Sequence, residues 1–282
     1  MAIAASDRVQ AVQARALEIR RLVVRMAHES QSGHVGGGLS AADILAALYF
    51  DVLRVRPEQP EWPDRDRFIL SKGHAAAVWY AALALRGFYP LEEVATYRKH
   101  PTRLQGHPEL GRPPGVEFMS GSLGHGLAGA IGMAIGARLN TNGARAFVLL
   151  GDGEVQEGLV WEASLAAPNF KLGNLCAMLD YNHQQSGGSV DAIEPLEPVA
   201  DKWRAFNWVV EEVDGHDAGQ LLAAFDRFVG RADGERPTFL VCHTVKGKGV
   251  SFMEGDNLWH GKPPDAEEYR RAMAELGVEV AP

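Results

Sequence analysis

The chain has 282 residues, 46% of them hydrophobic, with a formal net charge of -8 and a pI near 5.7. That is enough apolar material for one large core, and an acidic chain excludes a nucleic acid partner, whose backbone needs a clustered basic face. Cys176 and Cys242 both lie inside apolar runs, so they read as reduced core residues of a cytoplasmic protein, not as a disulfide framework.

The opening residues Met1 to Arg8 lack a basic stretch followed by an apolar core and a cleavage site, so no secretory signal is expected. Arg8 to Met26 carries Val9, Val12, Leu17, Leu22 and Met26 among Arg and Gln, the period of an amphipathic helix. Ser40 with Asp43 three residues on resembles a capping box and predicts a second helix over Ala41 to Phe50. Phe118 to Ala137 contains no Asp, Glu, Lys or Arg and is about long enough to span a bilayer. Its Ser120, Ser122, His125 and six glycines leave it poor in bulky apolar surface, which predicts a buried helix that other backbones approach closely and no membrane span.

From Ala144 onward, short apolar runs at Phe147 to Leu150, Leu175 to Leu179, Val209 to Val213 and Phe239 to Thr244 alternate with helical spacing at Leu159 to Ala167 and Gly219 to Phe228. Strands alternating with helices predict an α/β fold, a parallel sheet flanked by helices on both faces. With no repeat or linker, residues 1–282 read as one domain in which 1–60 form leading helices and 250–282 a carboxy-terminal extension. In such sheets ligands bind beyond the carboxyl ends of the strands.

Phe147 to Leu150 runs straight into Gly151-Asp152-Gly153-Glu154, which places a carboxylate at a strand end between two residues that let the backbone turn sharply. Alone, the tripeptide reads as a turn. Thirty positions after Asp152, the next strand ends in Asp180-Tyr181-Asn182. A crossover between parallel strands needs about a dozen residues or more, so Asp152 and Asn182 can lie side by side at adjacent strand ends. One carboxylate, one amide and one backbone carbonyl suit Mg2+, with Ca2+ or Mn2+ as alternative ions.

Six histidines, His34, His74, His107, His125, His216 and His260, each adjoin a glycine. Glycine neighbours put an imidazole on a loop that a ligand can approach, and a pKa near neutrality suits it to moving protons on sugar hydroxyls.

With these residues in place, Gly151-Asp152-Gly153 followed by Asn182 resembles the signature of thiamine-diphosphate enzymes. The resemblance extends over nearly the whole chain: Ser32-Gly33-His34, Asp64 to His74, Gly106-His107-Pro108, Gly121 to Gly126, Val213 to Asp217 and Trp259-His260-Gly261 stand in the order expected of the amino-terminal part of transketolases. It implies that Asp152, Asn182 and the backbone carbonyl of Gln184 hold the metal. Gly121, Leu123, Gly151, Asp152, Gly153, Glu157, Asn182 and His74 would contact thiamine diphosphate. His34, His74, His107 and His260 would line the substrate channel or move protons. His216 matches a structural strand-end position, and Glu157 a carboxylate that meets a glutamate of an opposing pyrimidine-binding domain.

Two motifs point elsewhere and two depart from the family. Gly124-His125-Gly126-Leu127-Ala128-Gly129 satisfies a dinucleotide fingerprint, but no strand precedes it and no acidic strand end follows at the required distance. Lys246-Gly247-Lys248-Gly249 could cradle a phosphate and reads better as a plain loop; it also resembles segments of 1-deoxyxylulose-phosphate synthases and 2-oxo-acid dehydrogenase E1 subunits, which are the alternative assignments. His183-Gln184-Gln185-Ser186 replaces the usual Gly plus aliphatic residue after Asn182, which puts the pocket wall beside the thiazolium in question. Val35-Gly36-Gly37-Gly38 replaces a Pro-containing loop after His34 and predicts a looser wall.

The sequence ends soon after the last of these motifs. The resemblance therefore implies a split enzyme, inactive alone, that joins a second subunit carrying the pyrimidine-binding and carboxy-terminal domains, as α2β2, and transfers a two-carbon ketol unit from a phosphorylated ketose to an aldehyde acceptor.

Overall fold

The computed structural model describes residues 5–232 and 234–280. The first four residues of the stretch read as lacking a secretory signal, and the last two of the expected carboxy-terminal extension, lie outside the described residues.

A five-stranded sheet in the order β1-β2-β3-β7-β6 is parallel throughout, formed by β1 (Arg67–Leu70), β2 (Ala146–Gly151), β3 (Leu175–Tyr181), β6 (Val209–Asp214) and β7 (Thr238–His243). A two-stranded hairpin, β4 (Gln184–Gln185) with β5 (Gly188–Ser189), stands beyond the end of β3. The four strands expected from their apolar runs are present. β1 is additional: Phe68-Ile69-Leu70 is a short run hidden behind the charged Asp64 to Arg67.

Alternation along each strand divides the core between the two faces. Phe147 and Leu149 of β2 and Cys176 and Met178 of β3 join one cluster with α1 (Ala5–Ser30), α2 (Val35–Ser40), α3 (Ala42–Ala47) and α4 (Ala76–Arg86). Val148, Leu150, Ala177 and Leu179 join the other with α5 (His125–Leu139), α6 (Asp152–Val155) and α7 (Gly158–Asn169). The remaining helices are α8 (Val190–Ile193), α9 (Val199–Ala205), α10 (Ala218–Val229) and α11 (Ala266–Glu275). α1 follows its expected period, with Val12, Ala16, Ile19 and Val23 buried. Phe147, fully buried and edge-on to Phe225 and Phe228, is representative of this core; truncation there to Ala should cost about 3–5 kcal/mol.

Two local expectations fail. The second helix does not start at a Ser40 cap. The chain is already helical from Val35, and the Ser40 hydroxyl donates instead to Asp180 at 2.6 Å, a buried long-range bond that outcompetes local capping. Asp43 faces Arg20 and His216. The Gly36-Gly37-Gly38 wall is not loose either: it is a buried helical turn. A Cβ on Gly38 would stand 2.9 Å from Val23 Cγ1, and one on Gly36 3.0 Å from Lys246 Cγ. These glycines serve close packing.

The charge-free run is a helix in its second half, α5, laid against β1 and β2, but only half-buried. Leu127, Ala130 and Ala134 face the sheet, while Leu139 is exposed and Gly132 and Gly136 meet open space, so close approach of another backbone is confined to Gly126, beside Ser71. Among the described residues no helix is long and apolar enough to cross a membrane.

Candidate active site

Parallel register sets the site. Gly151 pairs with Asp180, and Tyr181 with His243, so Asp152, Asn182 and Thr244 leave three neighbouring strands at the same edge. A cleft of about 290 Å3 opens there. Its floor is Gly151, Asp152, Asn182 and Lys72, and its walls include His74, His260, Leu123, Glu157 and Gln184.

The floor is dense in buried charge. Asp180 is fully buried and is bound by Lys72 and Thr244, by the Ser40 hydroxyl at 2.6 Å and, at 3.4 Å, by the Asn182 amide. Burial works to raise its pKa, but the Lys72 ammonium and these donors hold it below the ordinary carboxylate range. Asp152 differs. Its Oδ1 accepts the Gly153 N–H at 2.8 Å, whereas Oδ2 is buried with no partner. Burial, and then the charge of Asp180, push Asp152 up to about 6. An orphaned carboxylate oxygen beside a second, ionised carboxylate is an unmet demand for positive charge.

Oxygen donors converge on that demand. Asn182 Oδ1 accepts the Gln184 N–H at 3.1 Å, and the Gln184 carbonyl faces Lys246 Nζ at 3.3 Å, each with a lone pair to spare. Among the described residues no cluster of three or more His, Cys, Asp or Glu side chains could hold a metal; a set made of one carboxylate, one amide and one carbonyl fits a hard cation that keeps its remaining places for phosphate and water.

His34, His74 and His260 form a triangle, with ring centroids 5.3 to 5.4 Å apart. The His34 backbone N–H donates to the His260 carbonyl at 2.9 Å, which ties the two loops together. Burial lowers all three imidazoles, and neighbouring cations add to the effect; His260 falls to about 4, with Lys246 the next cause. At neutral pH the three rings are uncharged, each with an acceptor and a donor nitrogen. His107 stands at the rim against Gly121.

Six glycine-flanked histidines thus divide: His74 and His260 line the cleft, His34 completes their triangle, His107 lies against Gly121 outside the lining, and two stand apart. His216 links Asp43, at 2.7 Å, to the Val245 N–H, at 2.8 Å, and supports the loop after β7. His125 is exposed at the start of α5. The dinucleotide-like glycines open α5 from a loop with no strand before it, and the Gly124 N–H donates to Glu154 at 2.9 Å. Glu157 stands at the N-cap position of α7 without a side-chain capping bond, at the open edge of the cleft beside Gly124.

Lys246 corrects the plain-loop reading of Lys246 to Gly249. The backbone is a loop, but Lys246 is 1% exposed and its Nζ reaches His260 Nδ1 at 2.8 Å and Asn257 Oδ1 at 3.1 Å. Burial, and then Lys72, lower it to about 8, so it remains a cation facing the cleft. Glu154 is a second residue that the sequence hides: buried, it joins Ser71 to the N–H groups of Gly124 and Gly151 and fastens three loops around the floor. Its only sequence signal is a Glu three residues after a strand-end glycine, as in a capping box.

The departing segment after Asn182 is built, not loose. His183 adopts φ 62°, the conformation that suits glycine, and its ring lies against Tyr181, centroids 4.0 Å apart and tilted by 32°. Gln185 accepts from Gln156 Nε2 at 2.7 Å and lies so close to Gly153 that a Cβ there would come within 2.7 Å.

Comparison with known proteins decides the ancestry. Residues 11–282 match the family described as transketolase, thiamine diphosphate binding domain. The chain belongs to the transketolase family. It is 41% identical over 270 residues to the 6-deoxy-6-sulfo-D-fructose transketolase subunit SqwG of Clostridium sp. (strain MSTE9), covering 96% of this chain and 98% of that one. It is 38% identical over 272 residues to one of the subunits of the apulose-4-phosphate transketolase of Phocaeicola vulgatus, covering 96% of each. The solved transketolase from Leishmania mexicana superposes with a TM-score of 0.89 at 31% identity; the match covers 95% of this chain and only 41% of that one. This transketolase-family chain therefore matches the full length of subunit-sized relatives and about two-fifths of a single-chain transketolase.

Proposed function

We propose that this chain is the diphosphate-binding subunit of a split, cytoplasmic transketolase, with all 282 residues forming one diphosphate-binding domain. It transfers a two-carbon ketol unit from a ketose to an aldehyde when joined, as α2β2, to a subunit carrying the pyrimidine-binding and carboxy-terminal domains. The observation that carries this reading is the unpartnered Asp152 Oδ2 beside Asn182 in a cleft walled by neutral histidines.

Asp152, Asn182 and the Gln184 carbonyl are assigned to Mg2+. Backbone at Gly121, Leu123 and Gly153, with His74 and Lys246, is assigned to the diphosphate and its neighbourhood. Thiamine diphosphate, when bound, supplies the carbanion and electron sink. The chain's own residues bind, orient and move protons. His34, His107 and His260, held neutral, can accept a proton from one sugar hydroxyl and return it to a carbonyl oxygen. Glu157, exposed at the cleft edge, is assigned to the contact with the partner's glutamate.

The test is to purify the chain alone and together with its partner, then assay ketol transfer from xylulose 5-phosphate, with pyruvate as the rival donor. Transfer that needs both chains and the cofactor is expected; turnover of pyruvate in its place points to a synthase or E1-like enzyme. In the assembled protein, Asp152→Ala should abolish Mg2+-dependent thiamine diphosphate binding in calorimetry, and unchanged affinity would remove the metal assignment.

A further inference from the structure

The contact between Lys246 and His260 carries more than charge. Lys246 Nζ has three neighbours: the Gln184 carbonyl at 3.3 Å, Asn257 Oδ1 at 3.1 Å and His260 Nδ1 at 2.8 Å. The Asn257 amide is oriented by its own Nδ2, which donates to the Ser186 carbonyl at 3.1 Å, so its oxygen is the atom turned to Lys246. An ammonium has three N–H donors and no acceptor. Three acceptors around it match that set, and the shortest of the three contacts requires a bare, accepting Nδ1 on His260. In a neutral imidazole the proton then sits on Nε2.

Both partners are held in this pose. The buried Lys246 accepts the Gly255 N–H at its backbone carbonyl at 2.9 Å, and the adjoining Gly247 N–H donates to the Gly36 carbonyl at 3.0 Å. From behind, the chain of Arg20, Asp43 and His216 grips the same loop at two points. His216 Nε2 accepts the Val245 N–H at 2.8 Å, and Arg20 Nε donates to the Lys248 carbonyl at 3.1 Å. His260 is anchored through its backbone carbonyl by the His34 N–H. Its ring lines the cleft, and among the described residues no protein group meets Nε2. The rings of His34 and His74 have, among the described residues, no partner that fixes a proton. The three imidazoles of the triangle are thus unequal.

We propose that Lys246 is a positioning residue that locks His260 in its Nε2–H tautomer, so that this ring gives a hydrogen bond to a ketose oxygen and takes no proton from it. Proton acceptance falls to the unlocked rings of the triangle, His34 and His74. The proposal rests on the transketolase reading and narrows the part of His260 in it.

The assembled enzyme, with isotope-labelled histidine in this chain, is studied by magic-angle-spinning NMR, and the His260 signals are identified by their absence from His260→Gln. Wild type should show a single His260 tautomer with Nδ1 bare. Lys246→Met should add the Nδ1–H form, and Lys246→Arg, which keeps a donor, should restore the single form. An Nδ1–H signal in the wild type, or a Lys246→Met spectrum identical to wild type, overturns the lock. Activity separates a donor from a base. A glutamine at this position can accept from Lys246 with its oxygen and donate with its amide, as the locked ring does, whereas leucine can do neither. With xylulose 5-phosphate, His260→Leu should lower kcat/KM about 10- to 100-fold, the loss of one hydrogen bond, and His260→Gln less than about 5-fold. Equal losses in the two variants make His260 a base and overturn the donor role. The NMR readout needs no turnover: if the wild-type complex transfers no ketol unit, the transketolase reading fails, and the tautomer still decides on the lock.

Discussion

The floor and the wall of the cleft are held by different physics. The floor is tied by side chains: Asp180 alone takes hydrogen bonds from Lys72, Ser40, Thr244 and Asn182, and Glu154 fastens three loops. The wall is tied by backbone: His34 and His260 are joined through a main-chain bond, and the His34 Nδ1 is buried without a partner. Around the unpartnered Asp152, the satisfied charges of Asp180 and Glu154 cannot shift without exposing an ion, so this frame suits a fixed cation and diphosphate. Imidazoles with an unused ring nitrogen remain able to take up a proton.

If the floor is the rigid half, breaking its central ion pair should have the largest effect on the molecule. Lys72→Met leaves Asp180 buried without its cation and should destabilise the chain by about 3–5 kcal/mol. Urea denaturation measures this, and a loss below about 1 kcal/mol would mean that the hydroxyls of Ser40 and Thr244 suffice.

Asp152 gives the opposite sign at the same floor. Its folded pKa, near 6, lies above the ordinary value of 3.8, so its stability contribution is full when protonated and is lost as pH rises through 6. Asp152→Asn should therefore stabilise the cofactor-free chain by about 3 kcal/mol at pH 7.5. The gain should fade as pH falls from about 6 toward 3.8. A variant that is less stable than wild type at pH 7.5 would show that burial does not strain Asp152. A residue kept at such a cost belongs to function.

The difference between floor and wall also explains what the sequence discloses. Gly151-Asp152 and Asn182 are legible because both end apolar runs and a crossover fixes their spacing. Four histidines at or near the cleft are legible because glycine marks loops that ligands approach. Lys72 and Asp180 are not, since the pair joins positions 108 residues apart and each looks locally like an ordinary strand-end polar residue. Lys246 escapes for the same reason: its partners Gln184 and His260 come from two other segments. Ser40 and the glycines after His34 mislead because a local rule reads them as a cap and a loose loop, while tertiary contacts with Asp180, Val23 and Lys246 decide otherwise.

On the wall, the effect to look for is in titration. His260 is held near 4 by burial and by Lys246, so the fold favours its neutral form; the associated stability is present above the ordinary histidine value of 6.5 and is lost as pH falls through about 4. Lys246→Met removes the ammonium 2.8 Å from Nδ1. The His260 pKa read by NMR should then rise by roughly one unit. No change would leave burial as the whole cause and weaken the case that Lys246 keeps the wall neutral.

The smallest effect is expected where floor meets wall, at His183. The backbone there, φ 62°, costs a non-glycine residue, while the ring recovers some of that by its tilted contact with Tyr181 and by approaching Asp191 at 3.5 Å. His183→Gly, which restores the residue usual in the family, removes both the strain and the ring contact, and it loosens the unfolded chain. These terms oppose one another, so the change in stability should stay within about 1 kcal/mol. His183→Val keeps the strain, loses the ring contact and adds a β-branch at positive φ, and should cost about 1–3 kcal/mol. Chemical denaturation of the pair tests this: if Gly is as damaging as Val, the imidazole and not the backbone is what holds the hairpin, and the segment after Asn182 is a floor element in its own right.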